Sequence, residues 1–205
     1  MSFRYYNVSG LIILILVLAL GIDSLLVKYF IPWMKANNIE ILRAPGNASL
    51  ILMFLNLYDN FLWKWPLFSK LVKVSDISGR YKGKIAYRFN DQDGEKECVV
   101  EISQTSSKIK VHSYFEGHQQ TDSKSLVETI EEEDGFFKVY SYYFNSGTKE
   151  NDTLDCHEGV NVLKFVPPYG KVPQSLEGHY FTSRKIQTRG KMKVTFESKE
   201  LKGIF

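Results

Sequence analysis

The chain has 205 residues, with 26 Lys and Arg against 23 Asp and Glu and a formal net charge of +3. That length fits one globular domain of ordinary size plus an anchor. Residues 1–73 carry seven basic and three acidic side chains, and residues 74–205 carry the other 19 and 20. The larger part, at −1, is a poor candidate for gripping long DNA or RNA, which takes many phosphate contacts. A small ligand with one or two phosphates stays open.

Met1 to Asn7 is a short leader in which Arg4, Tyr5 and Tyr6 suit a membrane interface. The apolar stretch from Val8 to Leu26 follows, long enough to cross a bilayer. A signal peptide or a buried core helix is the plainer alternative. A signal peptide should end at a small-x-small cleavage site, whereas here the run continues through Asp23 into a second apolar block. The first helix is expected over about 8–28, and Pro32 should end or bend it. A hydrophilic connection from Lys35 leads to Pro45-Gly46. A second membrane helix is expected over about 47–66. Its end is polar: Asn56, Asp59 and Asn60 stand roughly one turn apart and share a face, with Asp23 as a candidate counterpart. Polar groups in a membrane helix tend to face other protein, so these four are the candidates for oligomerisation. The plainer alternative puts them among the lipid headgroups. Lys64, Lys70, Lys73 and Arg80 follow, which by the positive-inside tendency places the C-terminal part and both termini in the cytoplasm.

From Ile77 the texture changes. Tyr81, Gly83, Ile85, Tyr87 and Phe89 alternate with Arg80, Lys82, Lys84, Ala86 and Arg88, a half-buried strand. Asn90 to Gly94 is turn chemistry. Further strands are expected over 97–104, 107–116, 124–132, 136–145, 159–166, 176–184 and 191–197, with Asp134-Gly135 as a hairpin turn. Eight short strands with turn signals every ~10 residues predict an antiparallel meander, a barrel or a sandwich. The fold class expected is membrane-anchored all-β. Two transmembrane helices (residues 1–73) precede an eight-stranded antiparallel up-and-down, lipocalin-like β-barrel (residues 74–205). A transmembrane barrel is disfavoured, because Arg80, Lys82, Lys84, Arg88, Lys108 and Lys110 would face lipid.

No catalytic constellation, metal cluster or cofactor loop is found. The four histidines are scattered and unaccompanied, and the acid run Glu131 to Asp134 reads as a solvated edge. Cys98 and Cys156 form neither a disulfide framework nor a zinc motif. Two buried thiols is the default reading, with a bridge between them left open. The inward faces are more telling. Strand seven aligns Tyr180, Thr182 and Arg184, strand one offers Tyr81 and Tyr87, and strand six offers Asn161. Polar groups in an apolar cup make a ligand pocket. Aromatics stack on bases and Arg184 can pair with a phosphate. The plainer alternative leaves Arg184 at an exposed strand end.

The whole layout, with Ile77-Ser-Gly-Arg-Tyr-Lys-Gly83 and Leu176-Glu-Gly-His-Tyr-Phe-Thr-Ser-Arg184 marking the first and penultimate strands, resembles the CBASS anti-phage effectors. These are CD-NTase-associated bacterial membrane proteins with two transmembrane helices and a β-strand-rich domain. The resemblance implies a non-enzymatic effector of the inner membrane. A cyclic nucleotide made by the cognate CD-NTase binds the cytoplasmic barrel, drives homo-oligomerisation of the helices and disrupts the bilayer. Two alternatives remain. One is a membrane-anchored carrier of a lipid or other apolar ligand. The other is an interaction module with a filled barrel.

Overall fold

The computed structural model describes residues 3–38, 46–116, 121–146 and 156–205. Most of the expected inter-helix connection, with Glu40, Arg43 and Pro45, lies outside the described residues, as does His118. The described chain forms two compact units: Met1–Lys73 with Thr105–Lys108, and Val74–Gln104 with Ile109–Phe205.

In the first unit, α1 (Val8–Leu25) starts at Asn7, whose side chain accepts from the Gly10 N–H. A π-helical turn (Leu26–Phe30) joins it to α2 (Ile31–Ala36). The sequence reading stopped this helix near Lys28, yet it runs on through Pro32. Proline has no N–H to give to the preceding turn. The helix widens just upstream, where the Ile31 N–H reaches back to Leu26 O, and so admits the ring. The continuous helix Val8–Ala36 has 29 residues and is the one described helix long and apolar enough to cross a membrane.

The second segment falls short of its expected length. α3 (Asn47–Asn60) has 14 residues, ~21 Å against the ~30 Å of a hydrocarbon core. It ends where Asn60 Nδ2 turns back to Asn56 O (2.8 Å) and Phe61 leaves helical geometry. A 3₁₀ turn (Leu62–Lys64) and the short α4 (Pro66–Ser69) follow. Leu11 of α1 and Leu55 and Tyr58 of α3 pack with Tyr6 and Trp63 into one small core. At the far end of the pair, Asn47 Nδ2 donates to Asp23 Oδ1 (3.0 Å). The chain enters and leaves this helical hairpin on one side, because Asn7 N donates to Leu71 O (2.9 Å) and Lys73 N to Tyr5 O (2.8 Å).

The second unit is a closed barrel of eight antiparallel strands in sequence order, with β1 paired to both β2 and β8. The strands are β1 (Gly79–Phe89), β2 (Gln92–Gln104), β3 (Ile109–Phe115), β4 (Thr121–Glu133), β5 (Phe136–Asn145), β6 (His157–Val166), β7 (Ser175–Thr182) and β8 (Arg189–Ser198). Alternation decides the faces. Ile85, Val100, Ile102, Val111, Val139, Leu163, Leu176, Met192 and Val194 fill the interior, while Lys82–Glu97 (3.2 Å) and Lys84–Glu95 (3.2 Å) pair across the outside. Asp134 and Gly135 both take positive φ in the tight β4–β5 turn.

Two features depart from the simple meander. β4 bulges between Ser125 and Val127, and there the Ser125 hydroxyl, rather than a carbonyl, accepts the Val111 N–H (2.9 Å). Arg80 faces outward, as expected, but is only 3% exposed. Its Nη1 binds Glu101 (2.7 Å) and Ile204 O (2.6 Å), and its Nε binds Glu197 (2.6 Å). The C-terminal segment crosses this face, with Lys202 N and Gly203 N also donating to Glu101. Burial opposes ionisation of Glu101, but these donors hold its carboxyl below the usual range.

Candidate functional site: a cavity at the barrel mouth

One end of the barrel is plugged. The Tyr81 hydroxyl donates to Ile77 O (2.7 Å) and accepts from Gln174 Nε2 (2.9 Å), and its ring packs edge-on against Phe196. The other end, where β1 meets β2 and β7 meets β8, holds a cavity of about 210 Å³.

Aromatic rings make its walls. Tyr87 lies over Gly94, its ladder partner, and Tyr143 lies over Gly159, likewise its partner. A Cβ at either glycine would collide with the tyrosine ring, so both rings lie against the wall only because these positions lack one. Ile85, Phe89, Phe115 and Tyr180 complete the apolar lining. Burial pushes the Tyr143 hydroxyl up to about 12 despite the opposing pull of Arg184, and burial raises Tyr180 too. Both phenols therefore stay protonated at neutral pH and able to donate.

Polar groups are few and placed. Asn145 Nδ2 donates to Ser123 Oγ (2.8 Å), linking the ends of β5 and β4. Thr182 and Thr188 close the β7–β8 connection through Thr182 N to Thr188 O (2.9 Å) and Thr188 N to Thr182 Oγ1 (3.1 Å). Lys96, His157 and Arg184 also line the cavity, and among the described residues no carboxylate does. The Arg184 guanidinium sits over Phe89, 5.8 Å from the ring centre. The field at the mouth therefore favours an anion, and the rings favour a flat ligand.

Of the ligand residues expected from sequence, Tyr87, Tyr180, Thr182 and Arg184 line this cavity, and Tyr81 and Asn161 do not. Tyr81 belongs to the plug. Asn161 sits in the ladder between Ser141 and Tyr180, below the cavity. Arg184 is not on β7, which ends at Thr182, but in the turn beyond it. The sequence reading missed Lys96, Tyr143, Asn145, His157 and Thr188. The first was hidden because the β1–β2 turn is only Asn90-Asp91, both at positive φ, so β2 begins at Gln92 and carries Lys96 on its inward face. Tyr143 and Asn145 were legible as the inward alternation of β5.

The expected membrane residues fall in different places. Asp23 bonds Asn47 rather than the polar end of α3. Asn56 and Asn60 are exposed and bonded to one another. Asp59 accepts from Ser106 Oγ (2.6 Å), Ser107 Oγ (2.9 Å) and, through its carbonyl, Ser106 N (3.1 Å). Tyr6 completes the cluster through its hydroxyl contact with Ser106.

The cysteines and histidines also need correction. Both thiols are free, but only Cys98 is buried and Cys156 is exposed. Burial, with Glu97 adding to it, pushes the Cys98 thiol up to about 12, so it is no thiolate nucleophile. His112 is not unaccompanied: its Nε2 contacts Asp122 (2.8 Å) and its Nδ1 the Tyr114 hydroxyl (2.8 Å), on the outward face of the barrel. Among the described residues no three His, Cys, Asp or Glu side chains converge as metal ligands.

Residues 72–195 match the family model described as Cap15, cyclic dinucleotide receptor domain. A curated relative, "CD-NTase-associated protein 15" of Staphylococcus schleiferi, is 46% identical over 48 residues. That stretch covers 23% of this chain and 26% of the relative, so the match spans about a quarter of the relative's length.

Proposed function

This chain belongs to the Cap15 cyclic dinucleotide receptor family, and on that premise we propose that its barrel mouth binds a cyclic dinucleotide made by a cognate CD-NTase. The observation that carries the reading is the cavity's chemistry: tyrosine walls, Arg184 and Lys96 among the lining residues, and no lining carboxylate among the described residues. Base enters against ring, and the phosphates meet the cations. A carrier of apolar ligands would have no use for two cations there.

The rest of the reading concerns the helices. The exposed apolar face of α1, with Ile13, Leu16, Val17 and Leu20, and that of α3, with Leu52 and Met53, enter the bilayer together. The helix Val8–Ala36 crosses it, and α3 follows it as the shorter arm of the hairpin. The shared entry and exit side, with Lys64, Lys70 and Lys73 close by in sequence, supports a cytoplasmic barrel and N-terminus. Ligand binding favours an oligomer of these hairpins, in which the exposed Asn56 and Asn60 meet other protomers. The oligomer disrupts the inner membrane of the infected cell as a CBASS effector. A ligand drives assembly only by binding the assembled state better.

The test is titration of the full chain in nanodiscs with cyclic dinucleotides, followed by sizing of the particles. Saturable binding with growth in oligomer size supports the proposal. Binding without any change in assembly overturns its second half.

A further inference from the structure

We infer that the cavity takes one base of the cyclic dinucleotide and reads its edge through Thr188 and Asn145, leaving the second base outside. The inference rests on the cyclic dinucleotide reading above and sharpens it.

Size is the first argument. Cavities that enclose a whole drug-sized ligand have ~300 Å³ or more. The mouth cavity has about 210 Å³, too little for two bases and a sugar–phosphate ring, but fit for one flat base against the Tyr143 ring. The second argument is an unsatisfied group. Thr188 is among the residues lining the cavity and only 8% exposed, and its Oγ1, itself buried, has no hydrogen-bond partner among the described residues. A buried hydroxyl without a partner is costly unless something fills it. The Thr188 backbone is already held by Thr182 on both its N–H and its C=O, so the hydroxyl alone is left for a ligand. The third argument is orientation. Asn145 is 3% exposed, and its bond to Ser123 holds the amide in one setting. A fixed amide and an unpaired hydroxyl on two lining residues are the equipment for telling one base edge from another. Lys96 and Arg184 stand at the rim, where the phosphates of a half-inserted ligand would remain.

The experiment is a calorimetric titration of the full chain in nanodiscs. It uses homo- and hetero-base cyclic dinucleotides, compared in sets of three: the best base twice, the best base once, and neither. Single-base reading predicts that the hetero ligand binds only about twofold more weakly than the best homo ligand, because half its orientations are competent. The ligand lacking that base falls far below both. A hetero ligand midway between the two homo ligands, on a logarithmic scale, would mean both bases are read and would overturn the inference. Thr188→Val removes the hydroxyl at constant shape. It should weaken ligands carrying the favoured base about three- to tenfold, and leave the others unchanged. Equal loss for every ligand, or none, overturns the role of Thr188. Failure of every cyclic dinucleotide to bind a folded chain overturns the functional reading itself, and this inference with it.

Discussion

Tyr143 lies on Gly159, its directly paired neighbour in the β5–β6 ladder, and the cavity exists because that glycine has no side chain. Gly159→Val would push the ring into the space a ligand needs, and would also press on Phe181 O. The expected result is at least a tenfold loss of cyclic dinucleotide affinity, with the barrel still folded by circular dichroism. Unchanged affinity would show that the ring does not border the ligand.

Arg184 holds no ladder position, and its guanidinium lies over the Phe89 ring. Arg184→Ala should therefore leave the melting temperature within a few degrees, since an exposed cation–π contact contributes only ~0.5–1 kcal/mol. A charge-assisted bond to phosphate contributes ~1.5–3 kcal/mol, so affinity should fall about ten- to a hundredfold. Retained affinity in calorimetry would remove the arginine from the site.

Asp59 gathers Ser106 and Ser107 at the β2–β3 turn. Asp59→Leu strips both hydroxyls of their acceptor. Cyclic dinucleotide affinity should persist, because the cavity is built from other residues, while ligand-dependent toxicity in cells should be lost. Asn56→Leu tests the exposed stripe separately, with toxicity again the quantity read. Full toxicity in both variants would detach the polar end of α3 from the mechanism.

The Arg80–Glu101 pair is buried and held by the C-terminal segment. Removing one partner of such a pair costs ~3–5 kcal/mol, because the other charge is left uncompensated. Arg80→Ala should lower the melting temperature by ~10 °C or more and open the chain after Lys202 to proteolysis. A shift of a degree or two would contradict the buried-pair account.

Acid should unfold the barrel by a related route. Donors hold Glu101 below its usual range against burial, and Ser78 and Lys199 do the same for Asp76. Because both carboxyls are depressed in the folded state, their contribution is complete above their unfolded values, about 4. It is lost as pH falls through the lower folded values. Melting temperature should be flat from pH 7 to 5 and drop below about pH 4. A melting temperature that holds to pH 3 would contradict this.

Much of this was legible in the chain. The strands were readable because half-buried antiparallel sheet imposes a two-residue period, and because Asp134-Gly135 and Asn90-Asp91 carry turn chemistry. What alternation could not place was depth along the barrel axis. Tyr81 and Tyr87 share a face, but only the register puts one in the plug and the other at the mouth. Lys96 was lost because the turn is two residues long rather than five. The hairpin of helices was readable in its apolar character, but not in where α3 stops. Alternation puts Arg80 on the outward face but does not show its burial, because its partners Glu101 and Ile204 O are distant in sequence.

The most direct test of the central claim is a titration of the full chain in nanodiscs with a panel of cyclic dinucleotides, with Arg184→Ala and Tyr143→Ala in parallel. The account predicts saturable binding of at least one member, one ligand per barrel, weakened about tenfold or more in both variants. No binding to the folded wild-type chain, or binding indifferent to both residues, would contradict it.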